Sequence, residues 1–322
     1  MFPTNYYLLF DRIKIQAANA VSGPLTYGFP ALSGFVGAIH ALSRKLSHKS
    51  VELGGVMIAC HHYELQTNQN SPYSDRTFNQ TRNPLKRNGE TASIIEEGKI
   101  HLTVSLVVEV NVKDTDLYYE LEDTASESAV DFCQELQHLL WQQRIAGGTV
   151  LKIRKTKLFA LHEENDIPAA LMPAFVLMDA KSELVEITRQ LRQGINSDDV
   201  QLLAPNPDAS ALDALLESAV LHHIPNTPNA DSDNRQVYSV KKNRGWLVPM
   251  PIGYQGISPQ FAAGELQNCR TNEYPSQYVE ALYTLGKWVF PLSLPDDISQ
   301  CFWHYNARQN NLYLISQGEQ HG

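Results

Sequence analysis

The most chemically distinctive part of this sequence is a basic stretch inside an acidic chain. Residues 76–89 read RTFNQTRNPLKRNG and carry no acidic side chain, whereas the 322-residue chain has a formal charge of −9. Guanidinium and ammonium groups pair with phosphates, amides hydrogen-bond to base edges, and an aromatic ring can stack on a base. The segment is too polar for a protein core, so it predicts contact with a polyanion.

Residues that could perform catalysis are scarcer. The phosphate-binding pattern GxxxxGK[ST] is absent, and His61 and His62 would point to opposite faces of a strand, which prevents them from sharing a metal. His101 could act as an acid or base in a ribonuclease, because histidine titrates near neutrality. No two cysteines have CxxC spacing, so we expect no metal, no cofactor and buried free thiols at Cys60, Cys133, Cys269 and Cys301.

Composition indicates a globular protein of one large or two moderate domains. The hydrophobic fraction is 43%, and no apolar run is long enough to span a bilayer. The N-terminus lacks the pattern of a secretory signal, so we expect a cytoplasmic location and no membrane contact. Charge is unevenly spread, because residues 136–162 and 234–264 also contain several cations and no acid. Local basic patches of this kind are compatible with nucleic-acid binding in an acidic protein.

Hydrophobic periodicity in the first half of the chain predicts the order β-α-β-β-α-β. This order is the split βαβ, ferredoxin-like plan, which RNA-recognition-motif domains share. We therefore predict an α+β fold with a ferredoxin-like core in residues 1–165 and a long insertion at 67–99, between the second and third strands. The predicted strands are 4–16, 55–66, 100–112 and 149–161, and the predicted helices are 32–46 and 125–145.

The second half, residues 166–322, is predicted to be a mixed region of helices and strands that packs on the core and contacts partner subunits. Its Gly- and Pro-rich stretch at 245–259 predicts no regular structure. Apolar spacing at 274–290 predicts a helix with Tyr278 and Leu285 on one face. The other predicted elements are strands at 173–180 and 312–316 and helices at 182–194 and 208–223.

Three long motifs resemble one known family. They are IQAANAVSGPLTYGFPALSGFVGAIHAL at 15–42, FNQTRNPLKRNGETASIIEEG at 78–98 and RGWLVPMPIGYQGISPQF at 244–261. In order and spacing they are similar to the second Csy protein of type I-F CRISPR–Cas systems. The resemblance extends over residues 5–315; the segments 114–128 and 224–236 match nothing that we can identify.

The resemblance implies a non-catalytic subunit of a crRNA-guided surveillance complex, or Cascade. Such a subunit holds the 5′ handle of the crRNA, pairs with the large subunit, meets the first backbone subunit and reaches target DNA only through the complex. It also implies a ferredoxin-like core, and it identifies the insertion as a thumb that packs against the guide. Two alternatives stay open: an endoribonuclease that cleaves CRISPR repeat RNA through His101 or another histidine, and a protein-only scaffold.

We assign candidate RNA contacts on this basis. Cations neutralise handle phosphates, amides read splayed bases, and an aromatic wedge separates stacked bases. The main candidates are Asn19, Arg76, Phe78, Asn79, Arg82, Asn83, Lys86 and Arg87. The secondary candidates, for which surface solvation or core packing is the competing explanation, are Gln16, Lys152, Arg154, Lys242 and Trp246.

Overall fold

The computed structural model describes most of the chain. The described residues are 3–197, 200–220, 222, 224–225, 237–238, 240–241, 244–269, 271–306 and 311–318. They form two compact units. The larger contains the described residues of Met1–Val176, Pro251–Leu282 and Phe290–Gly322, and the smaller those of Leu177–Met250 and Tyr283–Val289.

Helices and strands are both well represented, so the structure combines several helices with a large sheet. The α-helices are α1 (Ser33–Lys45), α2 (Thr115–Glu120), α3 (Glu127–Trp141), α4 (Ile167–Leu171), α5 (Lys181–Gln193) and α6 (Ala211–Ala219). Short 3-10 helices lie at Ser47–Lys49, Leu161–Asp166, Pro291–Ser293 and Ile298–Cys301. None of the described helices is long and apolar enough to cross a membrane.

The strands fall into a large sheet and several two-stranded ladders. The long or sheet-forming strands are β1 (Tyr6–Asn19), β2 (Val51–Leu65), β7 (Lys99–Val112), β8 (Arg144–Ile145), β9 (Gly148–Lys152), β10 (Lys155–Ala160), β11 (Phe175–Asp179), β16 (Leu247–Gly256), β17 (Val279–Val289), β18 (His304–Tyr305) and β19 (Leu312–Ser316). The short ladder strands are β3 (Thr67–Asn68), β4 (Thr77–Phe78), β5 (Gln80–Arg82), β6 (Ile94–Glu96), β12 (Ile195–Ser197), β13 (Val200–Leu203), β14 (Ile224–Pro225) and β15 (Val237–Tyr238).

Strand β1 is the centre of the larger unit. It pairs antiparallel with β7 along one edge and with β9 and β10 along the other, and β7 pairs in turn with β2. The order across this part of the sheet is β11-β2-β7-β1-β9-β8. Tyr6 to Phe10 are buried, whereas further along β1 buried Ile13 and Ile15 alternate with exposed Lys14 and Gln16. The first half of β1 is therefore covered on both faces, and its second half has one open face.

Helices α1 and α3 cover the apolar face of this sheet. In α3, Ser126 caps the N-terminus by accepting from the Ala129 amide, and Phe132, Leu136 and Leu140 are buried. The chain that leaves α3 passes very close to α1, because Ala146 donates its amide to the Gly34 carbonyl at 3.2 Å. A Cβ built on Gly34 would lie 2.7 Å from Ala146 Cα, so only glycine permits this approach.

Two expectations for the second half of the chain are wrong. Residues 274–290 do not form a helix, and 245–259 are not irregular, because the two stretches form β17 and β16. Backbone bonds from Trp288 to Trp246 and from Ile257 to Tyr278 show that the stretches run antiparallel to each other. Pro249 and Pro251 are tolerated because they stand two residues apart, which puts both missing N–H groups on the same edge of β16. Pairing between distant segments overrode the local helical spacing.

Two glycines of α1 give a matched test of this packing. We expect Gly34→Ala to lower the free energy of unfolding by about 1–3 kcal/mol, because its methyl group must displace the Ala146 backbone. Gly37→Ala should raise it by up to about 1 kcal/mol, because a Cβ there meets no atom within 4 Å and alanine is the better helix former. Urea unfolding of both variants checks this, and equal effects of the two changes would contradict the packing described.

Candidate nucleic-acid interface

The insertion at 67–99 forms two short antiparallel ladders beyond the ends of β2 and β7. Strand β3 pairs with β4, and β5 pairs with β6. Gln66 donates its amide to the Lys99 carbonyl at 2.9 Å, which is where the insertion leaves the sheet. No residue from 67 to 99 is buried. The insertion is therefore a surface projection whose side chains face solvent, and we call it the thumb.

The base of the thumb rests on the loop that follows β1. Ala20 donates its amide to the Gly98 carbonyl at 2.9 Å, and the Tyr27 and Phe78 rings meet edge to face with centroids 5.3 Å apart. A Cβ on Gly98 would collide with Val21 Cγ2, so glycine lets the two segments touch. Phe78, predicted to stack on a base, is partly buried in this contact, and one edge of its ring is occupied by protein.

The four cations of the stretch 76–89 are all exposed, but they differ in their partners. Arg76 donates to Thr67 Oγ1 at 3.5 Å, and Lys86 lies 3.8 Å from the Glu90 carboxylate. The side chains of Arg82 and Arg87 have no hydrogen bond or ion pair within the part of the chain that the structure describes. These two guanidinium groups are therefore available to an anion without breaking any protein contact.

The amide side chains assigned to base reading lie near the arginines. Asn79 is exposed, and its backbone links the two ladders by bonding to Gln66 and Glu97. Asn83 Nδ2 donates to the Ser93 carbonyl at 3.4 Å across the tip of the β5–β6 hairpin. Asn79 thus presents a free amide, whereas part of the Asn83 amide is already used within the hairpin.

Asn19 ends β1 beside the thumb. It is the register partner of Lys99, and its side chain is held by two bonds to Val21, with Nδ2 donating to the carbonyl and Oδ1 accepting from the amide. Asn19 also lines a cleft of about 440 Å³ that contains Arg144. The structure therefore brings Asn19 to the junction of the sheet, the thumb base and this cleft.

Gln16 and Lys152 lie on the open face of the sheet. Lys152 is the register partner of Lys14 on β1, and Gln16 is two residues beyond Lys14 on the same exposed face. Like charges directly opposite each other destabilise a strand pair. The Lys14–Lys152 pair therefore creates a site where a bound anion would relieve repulsion.

Arg154 is bound to a buried carboxylate. Its Nε and Nη2 both donate to Asp11 Oδ2, and Asp11, which is fully buried, also accepts from Arg12 Nη1 at 3.0 Å and from Ser105 Oγ at 3.2 Å. The side chain of Arg154 nevertheless stays 49% exposed. Arg154 is therefore fixed in place as a structural ion pair that keeps an open side toward solvent.

The two remaining candidates belong to the other part of the chain. Lys242 lies outside the described residues. Trp246 belongs to the smaller unit, where its side chain is 51% exposed and its carbonyl accepts from the Trp288 amide at 3.1 Å. The tryptophan is therefore not a core residue, and half of its surface is open.

The structure adds three residues that sequence reasoning did not single out. Tyr27 packs on Phe78, Lys14 faces Lys152, and Arg144 lines the cleft next to Asn19. A partial signal existed for Arg144, which lies in the acid-free stretch 136–162. Lys14 and Tyr27 become recognisable only when strand register and loop packing are known.

Chemistry based on histidine or metal finds little support in the described residues. His101 Nδ1 accepts from the Ala17 amide at 3.1 Å, so one of the two ring nitrogens is already used. Within the described part of the chain, no three His, Cys, Asp or Glu side chains converge as a metal site would require. The exposed guanidinium groups of Arg82 and Arg87 can bind an anion.

Comparison with known proteins identifies the family. The family model described as CRISPR-associated protein (Cas_Csy2) matches residues 8–315. The CRISPR-associated protein Csy2 of Pseudomonas aeruginosa (strain UCBPP-PA14) is 33% identical over 319 residues, which cover 93% of this chain and 91% of that protein. The chain therefore belongs to the Csy2 family of type I-F CRISPR–Cas systems, which confirms the resemblance found in its motifs.

The Asp11 cluster predicts a pH dependence of stability. His61 lies between the Pro173 carbonyl and Ser105 Oγ, at 2.7 Å from each, and burial lowers the pKa of its ring, with Arg12 and Arg154 lowering it further. The unfolded chain therefore binds a proton at His61 before the folded chain does. Stability should fall as the pH drops below about 6.5, by at most about 1.4 kcal/mol per pH unit.

Urea unfolding at several pH values measures this dependence. The His61→Asn variant should lack this contribution to the change of unfolding free energy with pH. The His138→Asn variant, at an exposed position on α3, should keep it. Identical slopes for the wild type and His61→Asn between pH 6.5 and 5 would contradict the assignment.

Proposed function

We propose that this chain is a non-catalytic subunit of the type I-F surveillance complex that binds the 5′ handle of crRNA. The observation that carries the proposal is the pair Arg82 and Arg87, whose side chains are exposed and have no partner among the described residues, on a projection without buried residues. Phosphates are the natural partners of such guanidinium groups. Family membership supplies the CRISPR context in which the phosphate chain is a guide RNA.

Further support comes from how charge is distributed near the thumb. In a chain of formal charge −9, Lys14 and Lys152 face each other on the open sheet, and Arg144 lines the cleft beside Asn19. A single-stranded RNA that crosses this region would neutralise these cations and release counterions. Its log binding constant should therefore fall with log salt concentration, with a slope of about −0.7 per phosphate contact.

We also propose that the core is ferredoxin-like. The strand order β2-β7-β1-β9 corresponds to second, third, first and fourth in the chain, and the ladders between these strands are antiparallel. Helices α1 and α3 follow the first and third of these strands, as a split βαβ plan requires. The thumb then occupies the connection between the second and third strands.

The proposal includes partners and the absence of an enzymatic activity. By analogy with its family, the subunit pairs with the large subunit and meets the first backbone subunit, so that it supports recognition of foreign DNA without cutting RNA. The bond from the Ala17 amide to His101 Nδ1 supports the non-catalytic assignment, because a neutral ring that accepts at Nδ1 carries its proton on Nε2 and has no free nitrogen to act as a base. Incubation of the purified protein with labelled repeat RNA tests this, and cleavage that His101→Ala abolishes would overturn it.

The thumb assignment is tested by removing both free arginines. We expect Arg82→Ala combined with Arg87→Ala to lower retention of guide-length RNA when the chain is co-expressed with its neighbouring subunits. The loss of about two phosphate contacts should reduce the steepness of the plot of log binding constant against log salt concentration by about 1.4. Filter binding over a range of salt concentrations measures both effects.

A charge-matched control separates the loss of specific thumb contacts from a general effect of lower positive charge. Lys45→Ala combined with Lys181→Ala removes two exposed cations that lie outside the thumb, and it should leave retention unchanged. Equal retention and slope in the thumb variant and the wild type would rule out the thumb as an RNA contact. Complete absence of RNA adducts after crosslinking of the assembled complex would instead favour a protein-only scaffold.

A further inference from the structure

A groove follows the outer side of α1, away from the thumb tip. It consists of two cavities that both include Gly37: the cleft of about 440 Å³ beside Asn19 and a second cavity of about 380 Å³ lined by Tyr305 and Tyr313. Each volume lies within the range of small-ligand sites, about 300–1,000 Å³. We call the two cavities together the α1 groove.

The cleft end of the α1 groove is rich in hydrogen-bond donors. Gln143 lines the cleft, and its Nε2 is buried without a hydrogen-bond partner among the described residues. A buried donor without an acceptor costs free energy, so the position favours a ligand that supplies one. The N-terminus of α1 also opens here, because Leu32 provides no side-chain cap and Ser33 lines the cleft.

No carboxylate lines either cavity among the described residues, although the chain contains 35 acidic side chains. Arg144 is the charged residue of the cleft, and it has no ion pair within the described part of the chain. An acid-free, donor-rich surface with one free guanidinium suits a ligand that carries phosphate and carbonyl oxygens.

The middle of the α1 groove is aromatic. Tyr254 lines the cleft, and its ring centroid lies 6.2 Å from that of Tyr313, which in turn lies 4.7 Å from that of Tyr305. The side chains of Tyr254 and Tyr305 are 36% and 50% exposed. Exposed aromatic rings next to a cationic group form the combination by which proteins hold unpaired bases.

We propose that the α1 groove holds unpaired nucleotides of the guide strand, with one base in the cleft against Gln143 and Tyr254 and its phosphate at Arg144. This inference rests on the proposed function, since it concerns the same RNA. The groove would be a second RNA contact, separate from the thumb, and the strand would pass Asn19 to enter it. A single strand fits better than a duplex, because only unpaired bases can present their edges to Gln143 and their faces to tyrosine.

Gly37 provides a sharp test, because a side chain there would enter the groove without disturbing the fold. A Cβ on Gly37 meets no atom within 4 Å, so Gly37→Glu places a negative charge in the groove at little cost in packing. Ser128→Glu adds the same charge at an exposed position of α3 and serves as the matched control. Both variants are assembled with the neighbouring subunits and a guide that contains 4-thiouridine.

Ultraviolet crosslinking followed by mass spectrometry identifies the peptides bound to RNA. In the wild type and in Ser128→Glu we expect adducts on peptides that contain Tyr254 or Tyr305. Gly37→Glu should lower their yield about tenfold, as expected for the loss of one stacked base. Thumb adducts should persist in all three proteins.

The outcomes separate this inference from the proposed function. If no part of the wild-type chain crosslinks to RNA, the proposed function fails and the groove contact fails with it. If thumb adducts form but groove adducts are absent from the wild type, or if Gly37→Glu leaves them unchanged, only the groove contact is overturned. Loss of a neighbouring subunit from the Gly37→Glu complex, with groove adducts unchanged, would identify the groove as a protein interface instead.

Discussion

The antiparallel pairing of β1 with β7 is the constraint on which the rest of the larger unit depends. The pairing extends from Tyr6 to Asn19, and its register shifts at two irregularities, near Arg12 and Ala17, both of which have positive φ. These bulges twist β1 so that one half is buried on both faces while the other presents Lys14 and Gln16. Asn19, the thumb base and the cleft all follow from where this strand ends.

Charge is handled in two contrasting ways in this acidic chain. Inside the fold, the buried carboxylates of Asp11 and Glu109 are each satisfied, the first by arginines and Ser105, the second by His304 and the Gly55 amide. On the surface of the described part of the chain, several cations around the thumb and the end of β1 have no hydrogen bond or ion pair. The buried ion pairs and hydrogen bonds hold the core strands in place. The unpaired cations on the surface stay available to an anionic ligand.

Much of the core could be predicted from the sequence, because β7 and α3 carry strong periodic patterns; Gly147 and Gly148 do not end α3, which stops at Trp141, but lie at the turn between β8 and β9. The position of the thumb also follows from strand counting. The strands β16 and β17 could not be predicted, since each forms only by pairing with distant segments of the chain: with each other, and with β19 and β11 respectively. The Arg154 ion pair was equally hidden, because Asp11 lies 143 residues away in the sequence. For Phe78 the sequence suggested an open ring, and only the position of Tyr27 shows that part of it is covered.

The absence of buried residues between 67 and 99 has a consequence for how the thumb is maintained. Apolar burial is the main source of folding free energy, so the two thumb ladders gain little stability of their own. Their amides should exchange with solvent through local opening, long before those of β7, which open only with the whole sheet. Such a segment can change its sequence over evolutionary time without endangering the core, so the surface that the thumb presents and the stability of the fold can evolve independently.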